Sequence, residues 1–427
     1  MSRQFIWYSD RLSGLFLFFF VIFCNMQFIY LQIICGIISK YKCVKESGKL
    51  KIADVFRKLA DVFDDLTEKK KKKKSNVKKK MSWEKKVLIV AASVMGVLLI
   101  LLGTAYGVFN HYYSKLNVET LDDDYQVIVT DTDKDLEELT DEQKAELEKH
   151  MDESLDDGLK FDDKNVTNIL LVGTDSRQKG NRRSRSDTNI ILSINRDTKE
   201  ITMTSFMRDM YVQIPGAGKQ RINAAFIFGG PQLLFNTFST NFGIYLDKYA
   251  QVDFYSFMKV VDAVGGVDMT ISSGELKSMN NAIGEINQHL GLSTNNGKLK
   301  KSGKVHLNGK QALAYSRVRK VGNADFERTE RQRRVLTEIF KKAKKMSVSE
   351  LNDFADVVLP LISTNLTRKE VLSLVVNSPE YLTYDLKSQR VPIDGSYTYM
   401  TVNGASVLGV DFAANKKFWY KTVYGEE

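Results

Sequence analysis

Asn168-Ile169-Leu170-Leu171-Val172-Gly173-Thr174-Asp175-Ser176-Arg177 is the stretch on which the fold turns. Ile169 to Val172 is a short apolar, partly β-branched run that stops at a glycine. That is the pattern of a buried strand running into a loop. Asn189 to Ile194 reads as the next strand, and Ile201–Ser205 and Val267–Ile271 as two more. Pro231–Asn241, Phe254–Val264, Gln311–Tyr315 and Glu330–Lys345 read as helices among and after them. Strands alternating with helices argue for a layered α/β domain around a mixed or parallel sheet. Val264-Gly265-Gly266-Val267 is a helix stop followed by a strand. In the tail, Val391-Pro392-Ile393 and Tyr397 to Val402 look like later strands, taken as edge and covering elements with little chemistry.

Ligands in α/β folds gather at the ends of such strands. After the first strand come Arg177, Arg182, Arg183 and Arg185-Ser186-Asp187-Thr188. Asp175 and Asp187 therefore flank an arginine-rich loop. Paired carboxylates of this kind suit Mg²⁺, which takes one or two of them and completes its shell with water and substrate phosphate. Phe206-Met207-Arg208-Asp209 places another arginine at another strand end. The densest cluster runs from Ala314 to Arg334, with six arginines and one lysine. A solvated basic face would use lysine freely. Arginine is preferred where a planar fork grips phosphate or carboxylate through two parallel hydrogen bonds. The segment points to a multiply charged phosphate group.

These pieces resemble the LytR-CpsA-Psr family of bacterial cell-envelope proteins. The resemblance rests on Gly173-Thr174-Asp175-Ser176-Arg177, Arg185-Ser186-Asp187-Thr188, Arg208-Asp209, Arg221-Ile222-Asn223-Ala224-Ala225, Gly229-Gly230, Val264-Gly265-Gly266-Val267-Asp268, Leu307-Asn308-Gly309-Lys310-Gln311-Ala312-Leu313 and the arginine cluster, in the family's order across 165–345. Met207 stands where the family often has proline, and Arg221 where it commonly has lysine. The resemblance implies a layered α-β-α domain (164–427) with a central mixed sheet, preceded by transmembrane helices. It implies transfer of an anionic glycopolymer from a polyprenyl-pyrophosphate carrier to peptidoglycan. On that reading Asp175 and Asp187 hold Mg²⁺ (Mn²⁺ as a substitute), and Arg185, Arg208, Arg317, Arg319 and Arg328 neutralise the pyrophosphate. Gln332 adds a neutral donor one turn after Arg328, and Arg177 and Arg221 assist from the rim. Asp325 or Asp209 could act as base for the acceptor hydroxyl, or either could orient arginines through ion pairs. Phe235, Phe238 and Phe242, at helical spacing, and Phe254 and Phe257 are candidate walls of a polyprenyl pocket. Hydrolysis of the same carrier, and binding of lipid-linked precursors without turnover, are the alternatives.

The rest of the chain bears on compartment. Gly14–Ile38 and Val87–Phe109 are uncharged, and each exceeds the roughly 20 residues a spanning helix needs. The loop between them, 40–86, carries 18 Lys and Arg against 7 Asp and Glu, which exceeds the whole chain's net charge of +10. A polybasic run beside a span is expected in the cytoplasm by the positive-inside rule. It has no aromatic interleaving, so nucleic acid is not the expected partner. The region beyond 110 is then extracytoplasmic: an acidic connector (110–163) and the domain. Met81 directly precedes a signal-anchor pattern, and translation from there is the alternative start. The cysteines, Cys24, Cys35 and Cys43, all lie in or beside the first span, so the domain uses no disulfide and no thiol nucleophile. Its histidines have no metal-binding spacing, and there is no Gly-x-Ser-x-Gly elbow. What remains is electrostatic chemistry around a phosphate.

Overall fold

The computed structural model describes residues 83–121, 127–128, 164–175, 184–319, 321–322, 324–343, 345–381, 383–402 and 404–425. The expected first span (14–38), nearly all of the basic loop, residues 129–163 of the connector and Arg177 lie outside them. Helix α1 (Trp83–Tyr113) contains Met95–Tyr113, a stretch long and apolar enough to cross a membrane by length and composition. The helix up to His111 and the domain from Tyr112 onward are separate compact units.

The domain opens with β1 (Asn117–Val118), β2 (Val166–Thr174), β3 (Ser186–Asn195), β4 (Glu200–Phe206) and the hairpin β5 (Tyr211–Ile214) and β6 (Gly218–Arg221). Next come α2 (Asn223–Phe242), β7 (Tyr249–Asp253), α3 (Phe254–Ala263), β8 (Val267–Ile271), α4 (Ser273–His289), β9 (Gly303–Leu307), α5 (Gly309–Ser316) and α6 (Ala324–Ala343). The last described elements are α7 (Val348–Val358), β10 (Ser363–Thr364), α8 (Arg368–Tyr381), β11 (Asp385–Val391), the hairpin β12 (Tyr397–Val402) and β13 (Ala405–Val410), and α9 (Phe412–Tyr424). Seven strands form one sheet in the order β1-β10-β7-β2-β3-β4-β11. The pairs β1–β10, β7–β2 and β4–β11 are parallel and the other three antiparallel, so the sheet is mixed.

Register decides which residues share a face. Leu171 pairs with Ile190 and Ala250, and Leu170 with Ile191 and Tyr249. Because side chains alternate across a strand, these two sets point to opposite sides. Leu170, Ile191 and Tyr249 belong to a core that includes Phe206, Phe412 and Trp419. Phe235, Phe238 and Phe242 of α2 belong to the same core. Phe238 and Phe242 meet the Phe206 ring edge-on at 4.8 and 5.3 Å, and Phe242 meets Phe412 at 5.2 Å. The expectation that these three phenylalanines wall a lipid pocket is therefore corrected: they bind one helical layer to the sheet. Leu171, Ile190 and Ala250 face the other layer, whose lining comes from α3, α5, α6 and α7.

Two boundaries differ from expectation. Residues 117–119, read as connector, are built into the sheet edge. Asn117 and Val118 pair with Ser363 and Thr364, and the Tyr249 hydroxyl bonds the Glu119 carboxylate at 2.9 Å. A two-residue strand held by backbone bonds leaves no hydrophobic period to read. Helix α2 begins at Asn223, eight residues early, but is broken at Gly229 and Gly230, the latter at φ +63°. It resumes at Pro231, whose fixed φ and missing N–H suit a first helical turn.

Gly309 shows why the Leu307–Leu313 motif packs as it does. A Cβ there would lie 2.0 Å from the Met258 carbonyl oxygen, and the Gly309 N–H donates to Asp262 at 2.7 Å. Asn308 and Gln311 then close a capping box at the start of α5. Gly309→Ala is expected to cost about 3 kcal/mol, the upper end of overpacking penalties, read as a loss of denaturant midpoint at unchanged slope.

Candidate functional site

The C-terminal ends of parallel strands β2 and β7 and the start of antiparallel β3 meet at one edge of the sheet. Thr174 pairs with both Ser186 and Asp253 there. Gly173 is required at this point, since a Cβ would lie 2.9 Å from the Thr188 Cβ. A cleft of about 1290 Å³, open mouth included, starts at these strand ends and runs between the sheet and the second helical layer. Its interior is apolar: Leu171, Ile190, Val252, Phe257, Val260, Leu336, Ile339, Phe354, Val358 and Ile362 line it. Its polar end carries Asp187, Arg317, Arg319, Arg328 and Gln332. Phe254 and Phe257 also line this cleft. The tail contributes Phe354, Val358 and Ile362, so it builds part of the site and does more than cover the sheet.

Each charged group is placed by its element. Arg317 caps α5, and its guanidinium lies 5.0 Å over the Phe254 ring. Arg328 is buried on α6, and Gln332 follows one turn later on the same face. Asp187, on β3, accepts from Arg208 at 2.6 Å, and Arg208 also reaches Asp209 at 3.3 Å. Arg221 lies 3.7 Å from Asp209 and donates to the Ser406 carbonyl at 2.6 Å. Asp209 is thus an orienter of two arginines. Burial alone would raise the Asp187 carboxyl, but Arg208, by charge and hydrogen bond, and then Arg328 and Arg319 together hold it below the usual carboxylate range. Asp187 is an anion at neutral pH, facing three arginines.

The sign of that shift gives a stability prediction. A carboxyl depressed in the folded state contributes stability above its unfolded value, near pH 4, and loses it as pH falls through the folded value. Wild type in EDTA is expected to lose melting temperature on acidification below about pH 4. Asp187→Asn is expected to lack that component.

Arg208 and Arg319 also line a polar chamber of about 650 Å³ beside the cleft, with Arg221, Phe326 and Tyr399. Its outer wall is the β12–β13 hairpin. Asp175, one residue past β2, lines a small recess with Phe254, Tyr255, His289 and Arg317. Arg185 lies just before β3, half-buried, and does not line the cleft. Asp325 belongs to the first turn of α6, and its side chain is outside the described residues. Arg331, from the same cluster, is taken up structurally. It bonds Glu275 at 2.8 Å, Glu327 at 2.6 Å and the carbonyls of Val318 and Val321.

The donor set suits a hard divalent cation. Asp175 and Asp187 offer carboxylate oxygens at adjoining strand ends. Among the described residues no cluster of three or more His, Cys, Asp or Glu forms a protein cage. A Mg²⁺ ion that takes one or two carboxylates and fills its shell from phosphate and water matches that supply.

An apolar cleft that ends in arginines and a half-buried carboxylate thus lies at the strand ends of a mixed α/β sheet. The chain belongs to the LytR_cpsA_psr family, whose model matches residues 125–423. "Regulatory protein MsrR" of Staphylococcus aureus (strain COL) is 32% identical over 253 residues, 58% of this chain and 72% of that one. "Polyisoprenyl-teichoic acid--peptidoglycan teichoic acid transferase TagU" of Enterococcus faecalis (strain ATCC 700802 / V583) is 32% identical over 221 residues, 51% of this chain and 67% of that one. The crystal structure of protein gbs0355 from Streptococcus agalactiae shares the fold at a TM-score of 0.51 and 24% identity, over 61% of this chain and 88% of that one.

Proposed function

We propose that this protein is a membrane-anchored, extracytoplasmic phosphotransferase. It moves an anionic glycopolymer from a polyprenyl-pyrophosphate carrier to a muramic-acid hydroxyl of peptidoglycan. The observation that carries the reading is the continuity of an apolar cleft with an arginine-lined polar end. The relative TagU, by its name a polyisoprenyl-teichoic acid to peptidoglycan transferase, supports the same substrate class. The apolar stretch Met95–Tyr113 supports the anchor, and the basic loop 40–86 the orientation.

The prenyl chain lies among Phe257, Leu336, Val358 and their neighbours. Arg317, Arg319 and Arg328 hold the pyrophosphate at the cleft's polar end, and Gln332 donates a neutral hydrogen bond. Arg208, fixed by Asp187 and Asp209, addresses the sugar-proximal phosphate from the polar chamber. The acceptor oxygen forms a bond to that phosphorus, the phosphoanhydride bond breaks, and polyprenyl phosphate leaves. The hydroxyl proton passes to solvent or to Asp325, the remaining candidate base. Asp175 and Asp187 would hold Mg²⁺, which when bound supplies further neutralisation of the pyrophosphate. Little covalent work falls to the protein, because phosphoryl transfer depends mostly on positioning and charge stabilisation.

The test is incubation of the full chain in nanodiscs with a polyprenyl-pyrophosphoryl disaccharide, peptidoglycan oligomers and Mg²⁺, followed by mass spectrometry. Sugar phosphate joined to peptidoglycan is the expected product. Free sugar phosphate alone would replace the transferase with a hydrolase. Saturable binding without product would make the protein a binding or regulatory one.

A further inference from the structure

Helix α6 presents charges to two clefts. Arg328 and Gln332 face the first. Arg333 and Arg334, rotated away from them, face a second, solvent-open cleft of about 1120 Å³ that is completed by β8 and Ser388 of β11. Most charges on that second wall are matched. Glu330 pairs with Arg334, Glu338 with Lys341 at 2.8 Å, and Asp268 with Lys342 at 3.2 Å and His306 at 2.7 Å.

Arg333 is the exception. It is only 9% exposed, and its Nε and Nη1 are buried with no hydrogen-bond partner. Among the described residues it forms no ion pair. Burial draws its guanidinium down to about 10, Glu330 opposes the fall, and Arg390 and Arg334 add to it. It is still a cation at neutral pH. A buried charge with idle donors is costly unless an anion meets it. A planar fork of this kind matches an oxyanion.

The second cleft is linked to the first by arginines. Arg319 lines both the lipid cleft and the polar chamber, and Phe326 lines that chamber too. Arg390 lies 4.4 Å over the Phe326 ring and is close enough to Arg333 to act on its charge. Two further arginines flank Arg333 on the way from the pyrophosphate end, Arg390 on the sheet's edge strand, paired with Asp394, and Arg334, paired with Glu330. We infer that Arg333 and the cleft it lines form a second oxyanion site, which takes a phosphodiester or carboxylate group further along the anionic glycan whose lipid-linked end occupies the first cleft. This rests on the transferase reading for the identity of the chain. The site lets the enzyme hold a long polymer at two points and gives it a preference for charged polymers over short or neutral ones.

The experiment titrates the full chain in neutral-lipid nanodiscs with three lipid-free probes: poly(glycerol phosphate), a polyuronate and neutral dextran. Wild type is expected to bind at least one charged probe and not dextran. Arg333→Gln is expected to weaken that binding about tenfold or more, the scale of one charge-assisted pair. Whichever charged probe responds identifies the group. Ser388→Glu, at an exposed position on the same cleft, supplies an internal anion without altering Arg333 and is expected to block binding equally. Unchanged binding in both variants, or equal affinity for dextran, would overturn the site. A second arm measures transfer from a donor carrying only a neutral disaccharide, which offers Arg333 no anionic group. Arg333→Gln is expected to keep wild-type turnover on it. No turnover by wild type in that arm would reject the transferase reading, while the binding arm still reports on the site.

Discussion

Arg317→Ala is expected to lower turnover of a polyprenyl-pyrophosphoryl donor about 10²-fold or more, the usual effect of deleting one preorganised donor to developing charge. The loss should appear in both kcat and kcat/KM, because the charge on the departing phosphate grows toward the transition state. Stability should barely move. Arg317 is half-buried and stacks on Phe254 at 5.0 Å, a contact worth about 1 kcal/mol. Arg331→Ala supplies the contrast. That side chain is buried and bonded to Glu275, which also closes the capping box of α4 through Ser272. Removing one partner of a buried pair costs about 3–5 kcal/mol. Arg331→Ala should therefore lose activity through unfolding, with a large fall in melting temperature. Full activity in Arg317→Ala, or a melting temperature that falls as far as that of Arg331→Ala, would remove Arg317 from the site.

That contrast also marks how far the sequence could be read. The cluster from Ala314 to Arg334 was visible as arginines, and strand ends near Asp175, Asp187 and Arg208 were visible as apolar runs closed by polar residues. Residue type does not separate Arg328 from Arg331. A rotation of less than one turn sends the first to the cleft and the second to Glu275 and two carbonyls. The phenylalanines fail for a related reason. Spacing of i, i+3, i+7 identifies the buried face of a helix, yet in a three-layer domain both helical layers bury a face. Phe235, Phe238 and Phe242 went to the layer without the cleft, while Phe254 and Phe257 went to the other. Phe354, Val358 and Ile362 were missed because they are far along the chain, and only the fold brings α7 over the sheet. β1 and β10 were missed because two residues are too few to carry a period.

The length of the apolar cleft makes the second large prediction. Val358 is 4% exposed and lines the cleft from α7, opposite the sheet residues Leu171 and Ile190. Val358→Phe places a ring in space that a prenyl chain would otherwise fill. Excluding one five-carbon unit forfeits roughly 4 kcal/mol, at about 0.8 kcal/mol per carbon, and part of that returns if the chain shifts along the cleft. The expected result is a rise in KM of about 10²-fold for a long-chain donor. A donor truncated to two isoprene units fills less of the cleft and should be used nearly as well by the variant as by wild type. The prenyl chain is far from the reacting phosphorus and binds equally in ground and transition states, so kcat should hold. Val358 is nearly buried, so the larger side chain is expected to cost no more than about 1–3 kcal/mol of stability, read as a modest fall in melting temperature with the fold kept. Equal KM values for both donors in the variant would mean that the lipid lies elsewhere. A fall in kcat with unchanged KM would mean that α7 positions the arginines, and the cleft would then be a packing feature of the helical layer.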